Sequence, residues 1–232
     1  MKQHSVQEAY LKKFEDKCRI WAHESIDMKP RHIPAKKCTM EVDFQNYELE
    51  SSQNNNIEKP AIDVIRSLYL GGKLNESQAM KLFAWTELHL IRNQNFRSKP
   101  DVNYADEYDS LLEVEEKFTN YYNCISIYNC EEGEFFITSD NPVLELFIGG
   151  VIFRLFVISP KTLVMMSPRS VFPETEISFT EMINSTIYAN KYKYVFSHKQ
   201  ELPLDLFEKN AFKFKLRNKK PSPKFRHTLK NP

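Results

Sequence analysis

Hydrophobic positions change their spacing about half-way along this chain. Up to about residue 122 they recur mostly at helical intervals; beyond it they alternate or run in short apolar stretches. Tyr10, Leu11 and Phe14 predict a short amphipathic helix over residues 7–14. Pro30 and Pro34 mark residues 31–37 as a loop, and Ser51-Ser52-Gln53-Asn54-Asn55-Asn56 reads as a polar surface loop. Pro60 opens a helix through Leu70, which Gly71-Gly72 ends. Asn75 caps the next helix, and Gln78 three residues on completes a capping box. Met80, Phe83, Ala84, Leu90 and Ile91 form its apolar side as far as about Asn95, and Leu111, Leu112, Val114 and Phe118 predict a further helix over 106–122.

The second half predicts strands. Residues 124–128 and 134–138 are β-rich runs on either side of Gly133 and read as a hairpin. Residues 143–148 and 151–158 flank Gly149-Gly150, a dipeptide suited to a two-residue hairpin turn. Short strands are expected at 162–166 and 192–196, with a helix between them that Ser178 and Glu181 open by a second capping box and that ends near Lys191. The fold class is therefore α+β, a helical N-terminal half packed on a largely antiparallel sheet formed by the C-terminal half. Residues 1–208 are expected to form one domain, with 209–232 as a basic tail, and no internal repeat is visible.

Composition narrows the function classes. With 232 residues, 41% hydrophobic and 27% charged, the chain is of ordinary globular type. A domain of this length buries roughly 70% of its unfolded surface and needs no disulfide or metal staple. The net charge of +1 gives no global attraction to nucleic acid or membrane, but the charge is unevenly placed. Residues 209–232 carry nine Lys or Arg and no acid, leaving a net of −8 on residues 1–208. Two readings of that tail stay open. It could bind nucleic-acid phosphates while Phe212, Phe214 and Phe225 stack on bases. Alternatively, residues 212–216 form an alternating edge strand on the acidic body, whose counterpart is the acid-rich 101–116 segment.

Cys18, Cys38, Cys124 and Cys130 lack zinc or redox spacing. Met1 to Ser5 is too polar to begin a signal peptide. The longest apolar stretch, 143–158, is interrupted by Glu145 and Arg154 and is too short to span a bilayer. A cytoplasmic protein without membrane contact is expected.

The most concentrated local chemistry is Thr138-Ser139-Asp140-Asn141, between the apolar Phe136-Ile137 and Pro142. Short hydroxyl, carboxylate and amide groups gather there where a strand ends. They could bind an ion, orient a water or hold a substrate, or simply form an Asx-type turn. On the second long helix, Arg92 with Glu87 and Arg97 could contribute to an anion pocket, against the alternative of ion pairs on a solvated face. No P-loop, G-x-S-x-G elbow, H-E-x-x-H site or dinucleotide glycine fingerprint is present.

These features, in this order, resemble the bacterial domain-of-unknown-function family 4238, over roughly residues 4–197. His4 followed by Tyr10-Leu11-Lys12-Lys13-Phe14 matches its opening, although Val6, Gln7 and Glu8 stand where the family has a proline. Thr138 to Val143 matches its Thr-Ser-Asp-Asn-Pro-Val element, and Ile158-Ser159-Pro160 its later Ser-Pro element. Asn184 and Ala189 match a helix leading into Tyr194-Val195-Phe196-Ser197, and Glu58 matches a glutamate ahead of the first long helix. The resemblance carries no activity with it. It implies a site built from His4, Asp140, Asn141, Ser159 and Asn184.

Three functions follow as expectations. In the first, the chain is a hydrolase acting on a phosphodiester, nuclease-like, in stress or phage defence. His4 is then the general acid or base, and Asp140 binds a divalent metal or orients a water. Thr138, Ser139, Asn141, Ser159, Asn184 and Arg92 position the substrate. In the second, it is a non-catalytic binding or sensor module whose same polar residues satisfy buried backbone groups. In the third, nucleic acid binds through the Lys209–Pro232 tail alone. The sequence leaves the oligomeric state open.

Overall fold

A computed structural model describes residues 2–4, 6–24, 29–38, 40–42, 47–92, 118, 124–148, 151–168 and 178–217. The expected helix over 106–122 lies outside them apart from Phe118, as do the acidic 101–116 segment, Gly149-Gly150 and the tail beyond Arg217.

Three groups of elements emerge in chain order. The first is a strand and a short helix, β1 (Lys2–His4) and α1 (Glu8–Leu11), the latter extended by one 3-10 turn at Lys12–Phe14. Tyr10, Leu11 and Phe14 are fully buried, as their spacing predicted. The chain then forms β2 (Ile20–His23), β3 (Arg31–Ile33) and β4 (Met40–Val42). The second group is helical: α2 (Tyr47–Gln53), a π turn at Asn54–Glu58, α3 (Lys59–Tyr69) and α4 (Glu76–Arg92). The third mixes strands and helices: β5 (Cys124–Asn129), β6 (Thr138–Ser139), β7 (Val143–Ile148), β8 (Val151–Ser159), β9 (Thr162–Ser167), α5 (Phe179–Asn190), β10 (Val195–Ser197) and α6 (Leu204–Arg217).

Antiparallel pairing joins these strands into two four-stranded sheets, β3-β2-β10-β6 and β5-β9-β8-β7, with β1 and β4 as a separate pair. The α+β class holds, but the division into a helical half and a sheet half is only partial. Strands β2 and β3 come from the N-terminal part, and α5 and α6 belong to the C-terminal part. One buried apolar cluster, from Val6 to Phe207, joins them. Arg154 of β8 is buried in it, paired with Glu87 of α4 and with Glu145 of β7, the latter at 2.7 Å. Its guanidinium also donates to Thr86 and lies 4.9 Å from the Phe83 ring, tying α4 to the sheet. A buried cation satisfied on all sides is expensive to disturb, because removing one partner strands the rest.

Several local expectations are corrected. Residues 31–33 form an edge strand rather than a loop; Pro30 and Pro34 bound it, as proline is tolerated at an edge. Residues 51–56 are helical, because Gln53, Ile57 and Glu58 turn inward. The 124–128 and 134–138 runs do not pair as a hairpin. Strand β5 pairs with β9, and Thr138-Ser139 with β10, so longer-range partners outcompete the local one. The buried face of α4 includes Ala79, Leu82, Trp85, Leu88 and His89, with Met80, Ala84, Leu90 and Ile91 only half-buried at its flanks. Glu87, His89 and Arg92 are therefore turned into the protein and do not form a solvated face. Residues 212–216 lie in helix α6, not an edge strand; alternation over five residues is too short to separate the two periods.

Both predicted N-caps form, the first as a complete capping box and the second in its Ser178 half only. Asn75 accepts from the Gln78 amide at 2.9 Å and Gln78 returns the bond to the Asn75 N–H at 3.0 Å. Ser178 accepts from the Glu181 N–H at 3.1 Å, while the Glu181 carboxylate takes up Asn210 of α6. Residues 143–148 and 151–158 pair in the predicted register, with Ile148 opposite Val151.

Candidate ligand-binding site

The polar element after Phe136-Ile137 is a junction between a sheet edge and a helix. Asp140 leaves β6, and its carboxylate accepts three main-chain N–H groups: Tyr192 at 2.8 Å, Lys193 at 2.6 Å and Tyr194 at 2.8 Å. Its own N–H donates to Tyr194 O at 3.2 Å. These bonds pin the crossing from α5 to β10. Burial raises the Asp140 carboxyl above its ordinary value, and the three amides oppose that shift.

Its neighbours are committed in the same way. Ser139 Oγ donates to Asn141 O and accepts from Asn141 N. The Asn141 amide donates to Asn190 O at the end of α5, 2.7 Å away. Asn184 accepts from Ile137 N at 3.0 Å and donates to Phe135 O at 2.8 Å. It thus serves as side-chain partner to the segment that leads into β6. Thr138 Oγ1 lies 2.7 Å from Tyr10 Oη, which donates to Val157 O at 2.7 Å. The single Tyr10 proton is spent on that carbonyl, so Thr138 is the donor to Tyr10. Burial raises the Tyr10 phenol well above its ordinary range, which keeps it neutral in this role.

The structure therefore gathers Thr138, Ser139, Asp140, Asn141 and Asn184 into one cluster. Ser159 makes a local turn, accepting from Lys161 N at 3.2 Å. His4 sits on β1, paired with Met40 of β4 in the ribbon apart from the larger sheets, and its side chain lies outside the described atoms.

Arg92 belongs to a different place. At the end of α4 its Nη1 donates to Glu58 Oε1 at 2.5 Å and its Nη2 to Gln53 Oε1 at 2.7 Å. The ion pair is 5% and 7% exposed. Gln53 and Glu58 are five residues apart, across the π turn; an i→i+5 hydrogen-bonding turn brings such positions onto one face. Beside this triad lies a cavity of about 360 Å³, lined by Gln7 and Glu8 at the start of α1, by Glu50 and Asn54, and by Glu58 and Arg92 themselves. Trp85 donates its indole N–H to Gln7 Oε1 at 3.3 Å, which holds that wall to α4. The size is within the range of small-molecule sites. The sequence points to Arg92 and Glu58 separately but not to Gln53 or the cavity, because the polar run 51–56 has the composition of a surface loop and hides the π turn that joins them.

Among the described residues, no three His, Cys, Asp or Glu side chains gather as ligands for a metal ion. Nor is any described helix long and apolar enough to cross a membrane. Comparison with known protein families, curated proteins and solved structures returns no match.

Proposed function

We propose that this chain is a non-catalytic binding or sensor module, and that the cavity beside Arg92, Glu58 and Gln53 is where it takes a small polar ligand. The observation that carries this reading is the state of Asp140, both of whose carboxylate oxygens are occupied by main-chain amides. A carboxylate so bonded is a fixture of the fold, whereas a hydrolytic role needs it turned to a metal or water. Buried polar groups lining a concave site, by contrast, are what a hydrogen-bonding ligand requires. Resemblance to family 4238 stands within the same proposal. Its support is that the matched elements meet in space, Tyr10 with Thr138 and Asn184 with the chain just ahead of Thr138.

The test is a thermal-shift screen of small polar metabolites on the full chain. A ligand at a hundred times its Kd stabilises by about 2.7 kcal/mol, a shift of several degrees. Such a shift should vanish in Glu50→Gln and Asn54→Ala, which lie on the cavity wall, and persist in wild type. Hydrolysis of RNA or DNA that disappears in Asp140→Asn, assayed well below that variant's melting temperature, would overturn the reading in favour of an enzyme.

A further inference from the structure

Charge is unevenly placed along residues 1–208 of the sequence. Residues 12–37 hold eight Lys or Arg and four Asp or Glu, a net of +4, while the rest of residues 1–208 carry a net of −12. This basic stretch includes the β2–β3 ribbon, where Trp21 and His32 are register partners. Their rings stack with centroids 4.3 Å apart and 8° between planes, and both are half-buried. The exposed Arg19 donates from Nη1 to His32 O at 3.0 Å, and His32 Nε2 lies 3.2 Å from Asp16 O. Ring, guanidinium and turn are thus held together as one surface.

The turn itself is unusual. Asp16 and Arg19 bridge across Lys17 and Cys18, which both adopt left-handed backbone, with φ of 49° and 62°. Asn-Gly is the ordinary occupant of two such successive positions, so Lys17 is held at an exposed tip against its own preference. Strand β3 is a sheet edge, yet it is three residues long between two prolines, which blunts addition of another peptide strand. What remains to recognise a partner is a pair of stacked rings beside the exposed cations Lys17 and Arg19, in a stretch of sequence with net positive charge.

We infer that the β2–β3 ribbon binds single-stranded nucleic acid, with a base stacking on the Trp21–His32 pair and phosphates meeting Lys17 and Arg19. This surface shares no residue with the lining of the Arg92 cavity or with the basic stretch 209–232 of the sequence, and it does not depend on the cavity's function.

The experiment uses the full chain and twelve-nucleotide oligo-uridine and oligo-thymidine. Trp85 is fully buried, so fluorescence quenching on binding reports chiefly on Trp21. Saturable quenching is expected at low salt, weakening as salt rises. Trp21→Ala should weaken binding about tenfold or more by anisotropy, and Trp21→Phe should restore it to within a few-fold without the quenching. Replacing Lys17 and Arg19 together by Ala should lower the slope of log affinity against log salt by about 1.4, at roughly 0.7 per phosphate contact on a single strand. That surface variant also keeps the test decisive if Trp21→Ala misfolds by circular dichroism. Overturning results are equal affinity in folded Trp21→Ala, an unchanged salt slope in the double variant, or duplex of the same sequence bound as tightly. Binding lost on removing residues 218–232 but unaffected at Trp21 would likewise overturn it and assign the contact to the tail.

Discussion

Asp140 shows how a single side chain can look catalytic in a sequence and be structural in a fold. A carboxylate next to an asparagine and a proline at a strand end suits either role by composition alone. Three N–H donors decide its local part, because each charge-assisted bond contributes more than a neutral one. Asparagine offers one acceptor oxygen, and its NH2 group would face donors. Asp140→Asn should therefore lose about 2–4 kcal/mol, a fall of roughly 5–10 °C in melting temperature, measured by calorimetry. A variant with unchanged stability would remove the clasp. Asn141 and Asn184 are structural in the same way: Asn184 stands in for a strand partner to Phe135 and Ile137 just before β6, and Asn141 holds the last carbonyl of α5.

At the scale of elements, the sequence was clearest where a stop or start signal acts within one turn. The end of α3 forms a Schellman cap: Gly71 N–H donates to Leu68 O at 3.0 Å and Gly72 N–H to Ser67 O at 2.9 Å. Gly71 has a φ of 83°, and a Cβ at Gly72 would stand 2.9 Å from Ser67 O. Gly71→Ala should cost about 1 kcal/mol through its backbone alone. Gly72→Ala should cost more, since its Cβ would press on both the hydroxyl and the carbonyl of Ser67. Urea unfolding of the two variants checks both the sign and the order. The elements misread were those whose identity depends on distant partners. The 51–56 stretch is polar enough for a loop, yet Gln53 is drawn inward by Arg92, 39 residues away. Thr138-Ser139 takes β10 rather than β5 because α5 and the Asp140 clasp bring β10 alongside.

For the whole molecule, three inward-turned histidines set the expected response to pH. His89 is 3% exposed, with no hydrogen-bond partner for Nε2 among the described residues. Burial, reinforced by the Arg92 charge, holds its pKa well below the ordinary 6.5. Burial likewise lowers His23 and His198. The unfolded chain takes up protons below about pH 6.5 while the folded chain does not, so stability is full above that value and lost as pH falls through it. A fully buried group of this kind contributes a slope of up to about 1.4 kcal/mol per pH unit. Melting temperature should fall from pH 7.5 to 5.5, and His89→Leu should reduce that slope; an identical slope in the variant would contradict the assignment.

By itself the sequence determined the α+β class, the helix boundaries at Asn75, Gly71 and Ser178, and the pairing of 143–148 with 151–158. These are short-range matters, settled by capping, backbone freedom and a turn between adjacent strands. Only the tertiary structure decided that Asp140 clasps the approach to β10, that Arg92 meets Glu58 and Gln53 beside a cavity, and that Trp21 stacks on His32. Each of those depends on which distant groups remain to satisfy a buried charge, amide or ring once the core has closed, and spacing along the chain does not encode that choice.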